Sequence, residues 1–122
     1  MKALVVDDSG VMRRIVIGAL AKADITDVVQ AGDGQEAVAA VVEHDFDLVL
    51  MDWNMPNLKG IDAVREIRAM GCKMPIIMVT TEAEKSRVLE AIKAGANNYV
   101  IKPFEPQMLI DKVTDTLSRS AV

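Results

Sequence analysis

Residues 48–56 read LVLMDWNMP, four apolar residues followed directly by an acid. A short run that is apolar throughout, instead of alternating with polar residues, is typical of a strand covered on both faces in a parallel sheet. Similar runs, several of them rich in β-branched residues, occur at residues 3–6, 28–29, 76–79 and 99–101. The sequence therefore predicts five strands, with residues 48–51 as a central one.

Between these runs, apolar residues recur at three- and four-residue steps, the spacing of one face of an α-helix. Asp33, followed three residues later by Glu36, predicts the start of the second helix, and Gly95 predicts the end of the fourth. The apolar stripes expected to pack on the sheet are Met12, Ile15, Val16, Ala19, Leu20 and Ala23; Ala37, Val38, Val41 and Val42; Ile61, Val64 and Ile67; Val88, Leu89 and Ile92; and Leu109, Val113 and Leu117.

Five alternating strand and helix units with short connections predict an α/β fold. Because crossovers between parallel strands are right-handed, the expected architecture is a doubly wound (βα)5 sheet with helices on both faces. We expect one domain over residues 1–122 and no attached output domain.

The composition limits the classes of function. Apolar residues make up 51% of the chain and charged residues 26%, as in ordinary globular proteins. The net charge of -4 predicts repulsion from nucleic acids and anionic membranes, so neither is an expected partner. Cys72 is the single cysteine and excludes an internal disulfide, and the apolar N-terminal run is too short for a signal peptide. A cytoplasmic monomer is expected.

Polar residues able to do chemistry follow four of the predicted strands: Asp7 with Asp8, then Asp52, Thr80 and Lys102. Each has an ordinary explanation on its own, such as an acid at a helix N-terminus or a charge on the surface. However, ligand sites in open parallel sheets lie beyond the carboxyl ends of the strands. The shared placement therefore predicts one site.

Three carboxylates in one crevice repel one another unless a positive charge lies between them. Two like charges about 4 Å apart repel by roughly 4 kcal/mol at an effective dielectric near 20, so the cluster would raise a pKa or bind a cation. An all-oxygen donor set indicates Mg²⁺, Mn²⁺ or Ca²⁺, with Mg²⁺ favoured because it uses few carboxylates together with water and phosphate oxygens. Lys102 and Thr80 could hold phosphoryl oxygens, which makes Asp52 the expected nucleophile.

Four segments carry a family resemblance: VVDDS with MRRIV at residues 5–9 and 12–16, MDWNMPN at 51–57, VTTEA at 79–83, and AGA with YVIKPF at 94–96 and 99–104. Together they resemble the receiver domains of two-component response regulators, in particular those of bacterial chemotaxis, over essentially the whole chain. The resemblance implies a flavodoxin-like three-layer sandwich with the strand order 2-1-3-4-5.

The resemblance also implies how the acids act. Asp52 would take a phosphoryl group from the phosphohistidine of a partner histidine kinase. Asp8, Asp52 and the backbone carbonyl of Asn54 would ligate Mg²⁺, with Mn²⁺ as an alternative, and Asp7 would act largely through bound water. Asn54 and Glu82 would tune the loss of the phosphoryl group, and they match the chemotaxis type, which implies a signal that lasts seconds to a minute.

Further residues would convert phosphorylation into binding. Lys102 would contact the phosphoryl group, Thr80 would bond to it after transfer, and Tyr99 would turn from an exposed to a buried position. The peptide bond between Lys102 and Pro103 is expected to be cis. The implied output surface comprises Lys85, Arg87, Lys93, Tyr99 and Lys112, and a flagellar motor switch protein or another effector would bind there.

The expected function is thus a phosphoacceptor switch and not an enzyme, and three other interpretations were compared with it. A phosphorelay intermediate would pass its phosphoryl group to a histidine phosphotransfer protein. A phosphatase of the haloacid dehalogenase type would need a second Asp as general acid two residues after Asp52, where Asn54 stands. In a flavodoxin, Asp7 and Asp8 would repel the flavin phosphate.

Overall fold

A computed structural model describes residues 1–120, in which five parallel strands alternate with five helices. The sheet has the order β2-β1-β3-β4-β5, which confirms the doubly wound fold and the implied strand order. In chain order the elements are β1 (Lys2–Val6), α1 (Gly10–Lys22), β2 (Asp27–Ala31), α2 (Gly34–Glu43), β3 (Leu48–Met51), α3 (Gly60–Ala69), β4 (Ile76–Thr80), α4 (Lys85–Ala94), β5 (Asn98–Ile101) and α5 (Pro106–Ser120).

The three central strands, β1, β3 and β4, are buried on both faces, as their uninterrupted apolar runs predict. Alternate residues point to opposite faces of a strand, so the sheet separates two apolar cores. One core joins Leu4, Met51 and Met78 to helices α2, α3 and α4. The other core joins Val5 and Leu50 to helices α1 and α5. The layers are therefore helix, sheet and helix.

Two predicted helix boundaries are confirmed. The Asp33 carboxylate accepts a hydrogen bond from the N–H of Glu36 at 2.8 Å and caps α2, while the Glu36 carboxylate accepts one from the N–H of Gly32 at 3.2 Å. Gly95 ends α4 with a φ of 118°, in the left-handed region that favours glycine. The sequence signals at these two helix ends therefore correspond to actual caps.

The apolar stripes were predicted too wide in three helices. Ile15 of α1 and Val42 of α2 are 45% and 71% exposed, and Leu89 and Ile92 of α4 are also about half exposed. Neighbouring residues are about 100° apart around a helix, so a residue at the edge of a stripe points past the sheet. In α4 the sheet contact is made by Ala91, which is fully buried. α4 therefore shows large apolar side chains to solvent.

The stripes of α3 and α5 were predicted correctly. Ile61, Val64 and Ile67 are buried, as are Leu109 and Val113, and Leu117 packs partly against the same core. Within residues 1–120, none of the helices combines the length and the apolarity that crossing a membrane requires.

Candidate functional site

The carboxyl ends of β1, β3 and β5 bring three acids and one lysine together. Asp7 and Asp8 follow β1, Asp52 follows β3 and Lys102 follows β5. The Lys102 ammonium lies 2.6 Å from Oδ2 of Asp7 and 3.3 Å from Oδ2 of Asp52. One carboxylate oxygen from each of the three acids lies within 4.8 Å of the other two. Residues separated by almost the whole chain thus form one charged cluster.

Every polar atom of Asp7 makes a hydrogen bond to the protein. Its N–H donates to the carbonyl of Ala31 at 3.1 Å, and its Oδ1 accepts from the N–H of Ser9 at 2.9 Å. Oδ2 accepts from Lys102, and the backbone carbonyl accepts from Nη1 of Arg13 at 2.6 Å. Only 4% of Asp7 is exposed. This acid is therefore a fixed part of the framework of the site.

Asp52 is buried, and its two oxygens face different partners. Oδ1 accepts a hydrogen bond from the N–H of Trp53 at 2.7 Å, whereas Oδ2 faces Lys102. Burial raises the pKa of Asp52; the Lys102 ammonium opposes this effect, and the neighbouring Asp7 carboxylate adds to it, so the pKa remains above its ordinary value. The protein alone therefore does not fully neutralise the charge at Asp52.

The three acids fit a hard divalent cation. Oxygens bound to one octahedral Mg²⁺ are about 3 Å apart when adjacent and about 4.2 Å apart when opposite, and the three carboxylate oxygens here all lie within 4.8 Å of one another. Asp8 is exposed, and among residues 1–120 its carboxylate has no hydrogen bond or ion pair to the protein, so it is available as a ligand. The backbone carbonyl of Asn54 as a further ligand stays a prediction.

Thr80 and Tyr99 contact the backbone of the same residue. The buried Thr80 hydroxyl accepts a hydrogen bond from the N–H of Glu82 at 3.3 Å, and the Tyr99 hydroxyl donates to the Glu82 carbonyl at 2.5 Å. The Glu82 side chain in turn accepts from Nδ2 of Asn54 at 3.4 Å. Glu82 therefore connects the strand end of β4 and the ring of Tyr99 to the loop that follows Asp52.

The chain matches the family model for the response regulator receiver domain over residues 3–114. It belongs to this family. A chemotaxis protein CheY homolog of Campylobacter jejuni is 47% identical over 120 residues, which cover 96% of this chain and 92% of that protein. The chemotaxis protein CheY of Pseudomonas aeruginosa is 40% identical over 121 residues, 98% of each chain.

Solved structures support the same assignment. Chemotaxis protein CheY4 of Vibrio cholerae has a TM-score of 0.87 at 34% identity, covering 94% of this chain and 97% of its own. The receiver domain of the Francisella response regulator 1452 has a TM-score of 0.89 at 28% identity, covering 98% of both chains. The receiver fold therefore extends over almost the whole of this chain.

The basic residues expected on the output surface of this receiver lie on two helices. Lys85, Arg87 and Lys93 belong to α4 and Lys112 to α5. Lys93 lines a groove of about 740 Å³ on the side of α4 that faces α3, whereas Lys112 lines a separate groove beside Asn98. The expected patch is therefore divided between two helices and does not form a single groove.

Two details near Asp52 and Lys102 complete the geometry of the receiver site. The Lys102–Pro103 peptide bond is cis, as the resemblance implies. The guanidinium of Arg87 lies over the ring of Trp53, 5.5 Å from its centroid, and Arg87 also pairs with Glu90 at 3.2 Å. Arg87 thus reaches from α4 to the residue that follows Asp52.

Sequence reasoning missed two contacts in the site. It did not identify Arg13 as a partner of Asp7, and it gave Glu82 a side-chain role without its backbone contacts to Thr80 and Tyr99. The sequence did contain one signal for Arg13. A cation near the positive end of a helix is unfavourable, and α1 has no acid in its first turn to offset it, so Arg13 needs another partner. No comparable signal marks the backbone of Glu82.

The ionisation of Tyr99 should occur at unusually high pH. Burial, reinforced by the Glu82 carboxylate, raises the pKa of this phenol from 10.0 to about 12. Because the chain has one tyrosine, tyrosinate absorbance reports this group alone. At about pH 11 we expect most of Tyr99 to remain protonated in the folded protein and most of it to be ionised in guanidinium chloride. The ring is thus half-buried, and not exposed as the resemblance implies for the unphosphorylated protein. Equal titration curves in the two solvents would contradict this half-buried, hydrogen-bonded position.

Proposed function

We propose that this receiver is a phosphorylation switch in which Asp52 accepts a phosphoryl group from the phosphohistidine of a histidine kinase. The observation that carries the proposal is the buried Asp52 carboxylate, surrounded by Asp7, Asp8 and Lys102 at the carboxyl edge of the sheet. Mg²⁺, or Mn²⁺, would be held by Asp8, Asp52 and the backbone carbonyl of Asn54.

The residues around Asp52 suit phosphoryl transfer, which depends mainly on positioning and charge neutralisation. The Trp53 N–H holds Oδ1 of Asp52 and thereby fixes the plane of the attacking carboxylate. The Lys102 ammonium, in reach of both Asp7 and Asp52, would neutralise the oxygens of the transferred group. A bound Mg²⁺ would supply the remaining positive charge.

Phosphorylation would act on the loop that contains Glu82. The Thr80 hydroxyl now accepts a hydrogen bond from the Glu82 N–H, and it would donate one to a phosphoryl oxygen on Asp52, which would draw the hydroxyl and its loop toward the site. The Tyr99 hydroxyl is bonded to the same residue, so a moved loop would change the position of the ring. Since the phosphoryl group makes its contacts in only one of two conformations, it would shift the balance between them.

We further propose a role in chemotaxis, with a flagellar motor switch protein as the effector. The support is that similar relatives from Campylobacter jejuni and Pseudomonas aeruginosa are named chemotaxis proteins. The effector would bind Lys85, Arg87, Lys93, Tyr99 and Lys112 on and beside α4. The exposed apolar residues of α4 add contact area to this surface. The receiver would act as a cytoplasmic monomer without nucleic-acid or membrane partners.

The residue two positions after Asp52 supports a switch over a phosphatase. Asn54 is an amide bonded to Glu82, and an amide cannot act as the general acid that turnover of external phosphoesters requires. The chemistry of the protein would thus be limited to phosphorylation from a kinase or a small donor and to loss of its own phosphoryl group. A phosphorelay intermediate would differ in passing that group to a second histidine protein.

Phosphorylation by a small donor tests the proposal directly. Incubation with acetyl phosphate and Mg²⁺ should add one phosphoryl group to the intact mass, and peptide mapping should locate it at Asp52. Excess EDTA should prevent the reaction. Binding of Mg²⁺ should also change the fluorescence of Trp53, the single tryptophan, whose N–H is bonded to Asp52. An unchanged mass with Mg²⁺ present would contradict the proposed function.

The pathway needs a separate experiment. Phosphorylated protein and an Asp52→Asn control would be used to capture partners from a cell extract. Retention of a flagellar switch protein by the phosphorylated form, together with loss of the phosphoryl group within about a minute, would support chemotaxis. Slow loss, together with transfer to a histidine phosphotransfer protein, would support the phosphorelay alternative. Equal capture by both proteins would contradict a phosphorylation switch.

A further inference from the structure

Arg13 stands where a helix normally disfavours a cation. α1 begins at Gly10 with Ser9 as its N-cap, so Arg13 lies at the end of the first turn. The N-terminal end of a helix carries a partial positive charge, which favours acids there and disfavours arginine. A specific contact is therefore needed to explain the half-buried position of this guanidinium.

The guanidinium of Arg13 bridges two strand ends. Nη1 donates to the backbone carbonyl of Asp7 at 2.6 Å, and Nε donates to Oε1 of Gln30, on β2, at 3.0 Å. Hydrogen bonds from a charged donor are shorter and about twice as strong as neutral ones. The planar guanidinium can make both bonds at once, which a lysine ammonium cannot do with the same fixed geometry. Arg13 thus ties the turn after β1 to the neighbouring strand.

The carbonyl that Arg13 holds belongs to the peptide group joining Asp7 to Asp8. The carboxylate of Asp8 has no partner within residues 1–120, so its direction depends on the backbone that carries it. That backbone is fixed on one side by the Ser9 N–H bond to Asp7 and on the other by Arg13. Of these two, only Arg13 contacts the peptide plane preceding Asp8.

We propose that Arg13 is a positioning residue that orients Asp8 toward the cation site by holding the carbonyl of the Asp7–Asp8 peptide. This inference rests on the proposed function, because it assigns Asp8 a divalent cation. Residues that orient the ligands of a metal typically change metal affinity 10- to 100-fold when they are replaced. Arg13 would act in this way through the backbone.

The direction in which Mg²⁺ affinity changes when Arg13 is replaced distinguishes a positioning role from a purely electrostatic one. A guanidinium near the site repels a divalent cation, so removing its charge alone would tighten Mg²⁺ binding. Loss of a positioning bond would weaken binding instead. The adjacent Arg14, exposed on the same helix, provides a matched control, since Arg14→Gln removes the same charge without removing the bond to Asp7.

The test compares wild type, Arg13→Gln, Arg13→Lys and Arg14→Gln. Mg²⁺ affinity would be measured from Trp53 fluorescence, and amide hydrogen exchange of Ser9 would be measured in EDTA. We expect Arg13→Gln to raise the Mg²⁺ dissociation constant about 10-fold and to speed Ser9 exchange by a similar factor. Arg13→Lys should lie between Arg13→Gln and wild type, and Arg14→Gln should match wild type or bind slightly tighter.

Two results would overturn the inference. One is a Mg²⁺ affinity of Arg13→Gln that equals or exceeds that of Arg14→Gln in a folded protein. The other is unchanged exchange of Ser9 in Arg13→Gln. If wild type itself fails to bind Mg²⁺, the proposed function fails, and the exchange measurement in EDTA still decides whether Arg13 orders the turn.

Discussion

Replacing Asp52 by asparagine is expected to stabilise the fold by about 1–2 kcal/mol at neutral pH, although it removes the proposed phosphoacceptor and should abolish phosphorylation. The reason is the environment of this carboxylate in the protein without a cation. Burial raises the pKa of Asp52, Lys102 offsets this only in part, and Asp7 raises it further. An ionised Asp52 therefore costs folding free energy that a neutral amide of the same shape avoids.

The stability gained by Asp52→Asn should depend on pH, because proton binding to Asp52 is linked to folding. With a folded pKa above the ordinary 3.8, the folded state of wild type binds more protons than the unfolded state between the two values. The stability of wild type therefore falls as pH rises from about 3.8 through the raised pKa. Asp52→Asn lacks this loss, so its advantage should be absent in acid, grow through this window and remain constant above it.

Urea unfolding of both proteins in EDTA, followed by far-UV circular dichroism at several pH values, would measure this difference. Asp45→Asn makes the same charge change at an exposed position and should stay within about 0.5 kcal/mol of wild type. A variant at Asp52 that is less stable than wild type at neutral pH, or a gain that does not vary with pH, would show that burial of the ionised group carries no cost.

The fold follows closely from the sequence because its strands are covered on both faces. A run such as Leu48–Met51 has no polar position that would permit another packing, and its bounds match the structure. In the helices, the spacing of apolar residues predicts less reliably which side chains face the sheet. It cannot tell whether the small Ala91 or the larger Leu89 faces the sheet, because the choice depends on how close α4 approaches, and close approach favours alanine.

The sequence predicted those residues of the site that directly follow a strand. Asp7, Asp52 and Lys102 meet because parallel strands end at one edge of the sheet, a rule for which receivers are themselves an example. Contacts that depend on the reach of a side chain from a helix were not predictable. The bond from Arg13 to the Asp7 carbonyl requires one particular rotation of α1 relative to β1, which no sequence spacing specifies.

Replacing Gly60 by alanine should cost about 3 kcal/mol or more, because a methyl group has no space at this position. A Cβ there would lie 1.7 Å from the carbonyl oxygen of Asp52 and 3.1 Å from Cγ of Met51. The oxygen cannot easily withdraw, because the Asp52 N–H is bonded to the carbonyl of Val6 at 3.0 Å and the Gly60 N–H to the carbonyl of Trp53 at 2.9 Å. Either the start of α3 or the end of β3 must move.

Gly18→Ala is the matched control for this substitution. Gly18 lies inside α1, and a Cβ there meets nothing within 4 Å, so alanine should add about 0.5–1 kcal/mol through its higher helix propensity. Thermal unfolding should thus lower the melting temperature of Gly60→Ala by at least about 10 °C and raise that of Gly18→Ala by a few degrees. The shift at Gly60 should also displace the Asp52 backbone, so the folded fraction of this variant should accept phosphoryl groups more slowly. Similar melting temperatures for the two variants would mean that the start of α3 does not contact the Asp52 backbone closely, and Gly60 would then have no part in placing Asp52.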